Sequence, residues 1–231
     1  MINAAVILAG GLGKRLYPLT KVLPKPLLPV GNKSILESLI MLLKRNNVKT
    51  IYIATNYLHD EIVNKIGDGK KYKIKVLYSR ERKKLGTCGP LSLLKDKLTK
   101  PFFVLNGDIL TTANLNDIRK YSIKKKSVLT VVTKEINLPF RFGKVTTKNN
   151  YITKLEEKPT YKQEILSGIY VCKPEIFKFI PDNEYFGMDD LIKKLMKKKI
   201  KISKYLLKNY WIDIGQLDDY EIAKQKKEAK K

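Results

Sequence analysis

The sequence predicts an α/β fold, a mixed and mostly parallel sheet flanked by helices. Three observations predict it. Residues 4–9, Ala-Ala-Val-Ile-Leu-Ala, form a continuous apolar run closed by glycines, as expected of a strand buried on both faces of a parallel sheet. Apolar runs then alternate with helix-spaced segments through the first 110 residues, the rhythm of right-handed strand–helix–strand units. Beyond that point the rhythm breaks into polar, hairpin-like strands, which predicts a smaller β-rich part.

The elements follow in order. Residues 34–45 carry Ile35, Leu36, Leu39, Ile40 and Leu43 at helical spacing, with Ser34 as N-cap. Residues 50–55 read as the second strand, 60–66 as a helix, 74–78 as a strand and 90–98 as a helix. Residues 102–106 are a buried strand ending at Gly107-Asp108, which places Asp108 at the carboxyl edge where ligands of such sheets bind. A strand is expected at 127–133, a polar hairpin at 144–147 and 151–157 around Asn149-Asn150, and a strand at 165–171. Residues 174–180 and 188–197 read as helices, and 210–215 as a strand or its end. No repeat or Gly/Ser linker divides the chain, so one domain over residues 1–231 is expected.

The charge is unusual. Of 231 residues, 47 are Lys or Arg against 22 Asp or Glu, a net +25, and only six of the bases are Arg. Lys is scattered from Lys14 to Lys231, and Arg, the residue most used to read bases, is scarce. The excess therefore reads as solvated surface, runs such as Lys197-Lys198-Lys199 and Lys226-Lys227 included, and no nucleic-acid partner is expected. Cys88 and Cys172 have no partner motif, which suits a reducing, cytoplasmic setting. The apolar start is too short for a membrane span and lacks a basic lead. The lone histidine, His59, reads as a cap or a solvated residue.

Gly10-Gly11-Leu12-Gly13 follows the first strand. Glycine lets backbone N–H groups approach an anion closely, so the loop reads as a phosphate cradle, though glycine turns also occur for purely geometric reasons. A P-loop would need Gly where Leu8 stands and a hydroxyl where Arg15 stands, and a dinucleotide fingerprint would need Gly at Leu16 and an acid near Thr55-Asn56. ATPase and NAD-dependent readings lose ground accordingly.

The loop instead continues as Lys14-Arg15-Leu16-Tyr17-Pro18-Leu19-Thr20 and Leu23-Pro24-Lys25-Pro26-Leu27-Leu28-Pro29-Val30. Then come Leu85-Gly86-Thr87-Cys88-Gly89-Pro90, Asn106-Gly107-Asp108, Phe142-Gly143-Lys144-Val145, Glu156-Glu157-Lys158-Pro159, Ser167-Gly168-Ile169-Tyr170 and Trp211-Ile212-Asp213-Ile214-Gly215. In these motifs the chain resembles the sugar-1-phosphate nucleotidylyltransferases over nearly its whole length. The resemblance implies the Rossmann-like, nucleotide-diphospho-sugar transferase type of fold, with a nucleotide-binding part over about residues 1–110 and a sugar-phosphate-binding part over about 111–231. It implies attack of a sugar-1-phosphate oxygen on the α-phosphorus of a nucleoside triphosphate, expelling pyrophosphate.

Roles follow from the same resemblance. Arg15 would hold the β- and γ-phosphates, Lys25 the phosphates at the reacting centre, and Asp108 with Asp213 a Mg²⁺ ion, as hard cations favour carboxylate and phosphate oxygens. Leu8, Gly10, Gly11, Gly13, Glu81, Gly86 and Thr87 would line the nucleotide, with Arg80 or Glu81 near the edge of the base. Lys158 would grip the sugar phosphate, Glu157 the sugar hydroxyls, and Gly143 and Gly168 would admit the ring. Ser167 stands where many relatives carry Asn or Thr, and Trp211 reads as packing support for Asp213. The Leu-Gly-Thr-x-Gly-Pro form is most like mannose-1-phosphate and heptose-1-phosphate guanylyltransferases, which points to GTP and to polysaccharide synthesis. Thymidylyl-, uridylyl- and cytidylyltransferases share the scaffold, and the alternative reading is one of these acting on another sugar or on a non-sugar phosphate. The rival of another class, a basic nucleic-acid-binding protein, is disfavoured by the intact set Arg15, Lys25, Asp108, Lys158 and Asp213. No hexapeptide repeats follow, so no attached acetyltransferase is expected, and self-association into a homo-oligomer is left open.

Overall fold

The computed structural model describes residues 2–228, with side chains through Lys226. In chain order its elements are β1 (Ala4–Leu8), β2 (Pro29–Val30), β3 (Lys33–Ser34), α1 (Ile35–Arg45), β4 (Thr50–Thr55), α2 (His59–Ile66), β5 (Lys75–Arg80), β6 (Phe102–Asn106) and β7 (Ile109–Thr111). There follow α3 (Leu115–Lys125), β8 (Leu129–Pro139), β9 (Lys144–Lys148), β10 (Tyr151–Glu156), β11 (Thr160–Cys172), α4 (Met188–Lys197), β12 (Ile202–Leu206), β13 (Trp211–Asp213) and α5 (Leu217–Glu228).

Seven strands form one sheet in the order β12-β8-β11-β6-β1-β4-β5. β1 runs parallel to β4 and β6, β4 to β5 and β12 to β8, so β11 alone runs against the rest. The apolar run of β1 is explained by its two covers. Ala5 and Ile7 join Phe103 and Leu105 in a core beneath α1, α2 and α3. Val6 joins Phe102 and Val104 in a second core beneath α4. Helix α1 starts on the expected cap: Ser34 Oγ accepts from Glu37 N–H at 3.2 Å while Glu37 Oε2 accepts from Ser34 N–H at 2.9 Å. A third, smaller cluster packs Leu16, Leu28 and Ile35 against Ile214 and Tyr220, tying the proline-rich stretch to α5.

The structure departs from the sequence reading in four places. Residues 90–98 are not an α-helix but a short 3₁₀ turn, Gly89–Leu94, whose start is anchored by the N–H groups of Cys88 and Gly89 on Phe186 O. Residues 174–180 likewise form only a 3₁₀ turn, Pro174–Phe179. α3, β12, α5 and the short strands β2, β3 and β7 lie in stretches where the sequence pattern shows no element; α3 buries only Leu115, Ile118 and Ser122, too few apolar positions to show a period. β8 and β11 run beyond the sheet, residues 133–139 pairing with 160–166, to form an arm tipped by the β9–β10 hairpin. Lys197, Lys198 and Lys199 are exposed as expected, and the side chain of Lys227 lies outside the described residues. Among the described residues no helix is long and apolar enough to cross a membrane.

Candidate active site

β7 and β13 form a small antiparallel pair at the carboxyl edge of the sheet, just beyond β6. Their register sets Asp213 opposite Ile109, and Ile214 N–H donates to Asp108 O at 3.0 Å, which brings Asp108 and Asp213 together from positions 105 residues apart. Gly107 allows the approach: its N–H bonds Leu8 O at 2.9 Å, and a Cβ there would collide with that carbonyl. Lys25 is buried, with 10% of its side chain exposed, and its Nζ donates to Asp108 Oδ2 at 2.5 Å. Burial, and after it the charge of Asp108, push the Asp213 carboxyl up to about 6, against the pull of Lys25 and Arg15.

One oxygen on each carboxylate, Asp108 Oδ1 and Asp213 Oδ1, is buried without a hydrogen-bond partner. Two bare anionic oxygens at one place call for a cation. Among the described residues no cluster of three or more His, Cys, Asp or Glu is formed, so this pair fits an ion that takes its remaining ligands from phosphates and water, which is how Mg²⁺ binds.

The glycine loop leaves β1 beside this pair. Gly13 sits at φ +64, and Thr20, fully buried, donates its hydroxyl to Gly13 O at 2.8 Å. Arg15 is exposed, and its guanidinium reaches Gly215, where a Cβ would stand 3.6 Å from both Arg15 Nη1 and Asp213 Oδ2. Asp219 accepts from the N–H groups of Gly215 and Gln216 at 3.1 and 2.9 Å, holding the turn between Asp213 and α5.

On the other side of the loop, Glu81 is 7% exposed and lies against Gly10, where a Cβ would stand 2.6 Å from its Oε1. Its Oε2 accepts from Leu85 N–H at 3.1 Å, and burial raises its carboxyl to about 7 despite that bond. Asn56 Nδ2 donates to Glu81 O at 3.2 Å. Gly86, at φ +83, packs on the backbone of Phe186, and Thr87 Oγ1 accepts from Met188 N–H at 2.9 Å, so the Thr87 hydroxyl caps α4. Leu8 is half-buried and Gly11 is open to solvent with nothing near its Cβ position.

Glu157 and Lys158 stand at the root of the hairpin, both about 70% exposed, with Lys158 Nζ 3.8 Å from Glu157 Oε1. Gly143 faces them, its Cβ position 3.3 Å from Glu157 Oε2. Among the described residues no hydrogen bond or ion pair joins Glu157 or Lys158 to the carboxylate pair. Gly168, at φ +72, lies against the Asn106 amide. Ser167 is fully buried and turned inward, donating to Val132 O at 2.8 Å. His59 meets Thr55 Oγ1 at 2.6 Å and the edge of Tyr78, outside the carboxylate pair.

Thr20, Asn56, Asn106 and Asp219 were not singled out as site residues in the sequence. Only Asp219 carries a local signal, the spacing of a helix-capping acid three residues past Gln216.

A family model described as nucleotidyl transferase matches residues 4–230. The chain is 31% identical over 238 residues to a UTP–glucose-1-phosphate uridylyltransferase of Synechocystis sp., covering 94% of this chain and 61% of that protein. It is 32% identical over 225 residues to a mannose-1-phosphate guanyltransferase of Schizosaccharomyces pombe, covering 94% and 62%. It is 31% identical over 224 residues to a D-glycero-alpha-D-manno-heptose 1-phosphate guanylyltransferase of Aneurinibacillus thermoaerophilus, covering 96% of each. The chain thus spans about three fifths of the first two relatives and nearly all of the third. HddC from Yersinia pseudotuberculosis complexed with GMP-PN superimposes with a TM-score of 0.76 at 27% identity, covering 97% of this chain and 99% of that one.

Proposed function

The chain belongs to the nucleotidyl transferase family, and from that premise we propose that it joins a nucleoside monophosphate from GTP to a mannose- or heptose-type sugar 1-phosphate and releases pyrophosphate. The observation that carries this reading is the pair of buried, partnerless oxygens on Asp108 and Asp213 beside Lys25 and Arg15. Transfer between two anions needs alignment and charge neutralisation more than a covalent nucleophile. Mg²⁺ held by Asp108 and Asp213 would supply Lewis-acid stabilisation of the reacting phosphate. Lys25, buried and paired to Asp108, is fixed where a phosphate oxygen can replace or share that carboxylate. Arg15 is free to fold onto the β- and γ-phosphates with a bidentate fork and to follow the pyrophosphate as it leaves. Gly10, Gly11 and Gly13 offer backbone N–H groups without Cβ obstruction. Gly143, Glu157, Lys158 and Gly168 take the acceptor.

The choice of GTP is supported by Glu81. Once ionised, the buried Glu81 carboxyl beside Gly10 is an acceptor-only group, and guanine presents two adjacent donors, N1–H and N2–H₂, where uracil and thymine present one between two acceptors. The guanylyltransferase names among the relatives and the GMP-PN complex of HddC agree with this choice, and the uridylyltransferase of Synechocystis sp. is the competing case. A cytoplasmic setting suits two cysteines that are buried and unpaired. The test is pyrophosphate release from each of GTP, UTP, dTTP and CTP with mannose 1-phosphate, heptose 1-phosphate and glucose 1-phosphate. GTP with mannose or heptose 1-phosphate is expected to give the highest kcat/KM, and a tenfold preference for UTP or dTTP would remove the assignment to GTP.

A further inference from the structure

The acceptor side and the carboxylate pair meet at one irregularity of the sheet. β11 pairs with β8 along its whole length, but the register shifts between Leu166 and Ile169, which leaves Ser167 and Gly168 as the unpaired residues of a bulge. The bulge is held from three directions. Ser167 Oγ donates to Val132 O at 2.8 Å on β8. Trp211 Nε1–H donates to Ser167 O at 2.8 Å from β13. Gly168, at φ +72, rests on Asn106, whose Nδ2 would stand 2.6 Å from a Cβ at that position.

Two of these holds come from the segments that carry the carboxylates. Asn106 precedes Asp108 by two residues and Trp211 precedes Asp213 by two. β13 is only three residues long and has one strand partner, β7. Its tie to β11 runs through a side chain, the Trp211 indole, and a freed carbonyl in a half-buried place would otherwise lack its bond. Trp211 also packs against the main core, so its ring and its N–H have separable effects.

We propose that Trp211 is a positioning residue for the acceptor: its N–H fixes the Ser167 carbonyl, and with it the Ser167–Gly168 bulge on which the sugar 1-phosphate is seated, at a set distance from Asp213. This rests on the reading of the cleft as a nucleotide-sugar-forming site. It makes a specific demand on kinetics, since a loosened bulge weakens acceptor binding while the triphosphate, held by the glycine loop and Glu81, is untouched.

The experiment is steady-state kinetics of Trp211→Phe and Ser167→Ala, with GTP and mannose 1-phosphate varied in turn and melting temperatures recorded alongside. Trp211→Phe keeps a ring in the core and removes the donor; Ser167→Ala loosens the same bulge from the β8 side. Both are expected to raise KM for mannose 1-phosphate about fivefold to tenfold, the worth of one hydrogen bond, with kcat and KM for GTP moving less than twofold. The double variant is expected to exceed the larger single effect by little, because both bonds hold one element. An unchanged acceptor KM in Trp211→Phe, or a parallel loss of kcat, both KM values and melting temperature, would overturn the proposal. Wild-type protein that releases no pyrophosphate with any sugar 1-phosphate would overturn the underlying assignment instead, a result read before any variant is made.

Discussion

At the scale of single residues the site is an arrangement of charges that the fold holds in an unfavourable state. Asp108 and Asp213 each keep a buried oxygen bare, and the Asp213 carboxyl is pushed up to about 6 mainly by burial. Asp108→Asn and Asp213→Asn are each expected to lower kcat/KM by about 100-fold or more. Asp213→Asn should not reduce the melting temperature of the metal-free protein, since an amide relieves the repulsion, whereas Asp108→Asn should lower it by leaving the buried Lys25 ammonium unpaired; a large loss of stability in Asp213→Asn would mean that this carboxylate serves the fold. Glu81 gives the pH dependence. Its carboxyl lies at about 7 in the fold against an ordinary 4.5, so the folded state binds the proton more tightly than the unfolded chain does. Its ionisation therefore costs stability as pH rises from 4.5 to about 7, and the cost is complete above that. Glu81→Gln is expected to raise the melting temperature at pH 8 and leave it unchanged near pH 4. In the native protein KM for GTP should fall from pH 6 to pH 8 as the carboxylate forms, and Glu81→Gln should flatten that profile and weaken the preference for GTP.

At the scale of elements, the strands differ in how many of their faces are covered. β1, β4 and β6 lie between two cores, whereas β9 and β10 pair only with each other and leave Val145, Tyr151, Ile152 and Leu155 exposed. A lone two-stranded hairpin is marginally stable in water, so the amides of residues 144–156 are expected to exchange with solvent orders of magnitude faster than those of β1 and β6, and sugar 1-phosphate should slow them through Glu157 and Lys158. Equal protection in the free protein would show that the hairpin has cover. The local elements with strong periods, α1 and the buried strands, were legible in the sequence because burial on a known face leaves a repeat of two or about four residues. The 3₁₀ turns at Gly89–Leu94 and Pro174–Phe179 were not, because a single short turn closed by local bonds leaves the same apolar spacing as the first turn of an α-helix.

At the scale of the whole molecule the net charge of +25 spreads over a lysine surface. Lys197, Lys198 and Lys199 sit at the far end of α4 from the Thr87 cap, about 15 Å away by helix rise. Their joint replacement by Gln is expected to change kcat/KM less than twofold at ordinary salt, where charges beyond about 8–10 Å are screened. A tenfold drop would give the lysine surface a steering role. The α/β class, the glycine loop and the two aspartates at the ends of apolar runs can be read from the residues alone, because periodicity and glycine placement are local consequences of burial and backbone freedom. What those residues face follows from the tertiary contacts: Lys25 on Asp108 across 83 positions, Glu81 against Gly10, and the bulge of β11, the strand that runs against the rest of the seven-stranded sheet, tied to both carboxylate segments. Such pairings depend on strand order and register, which no local pattern encodes, since the same apolar run is equally satisfied beside any neighbour that covers it.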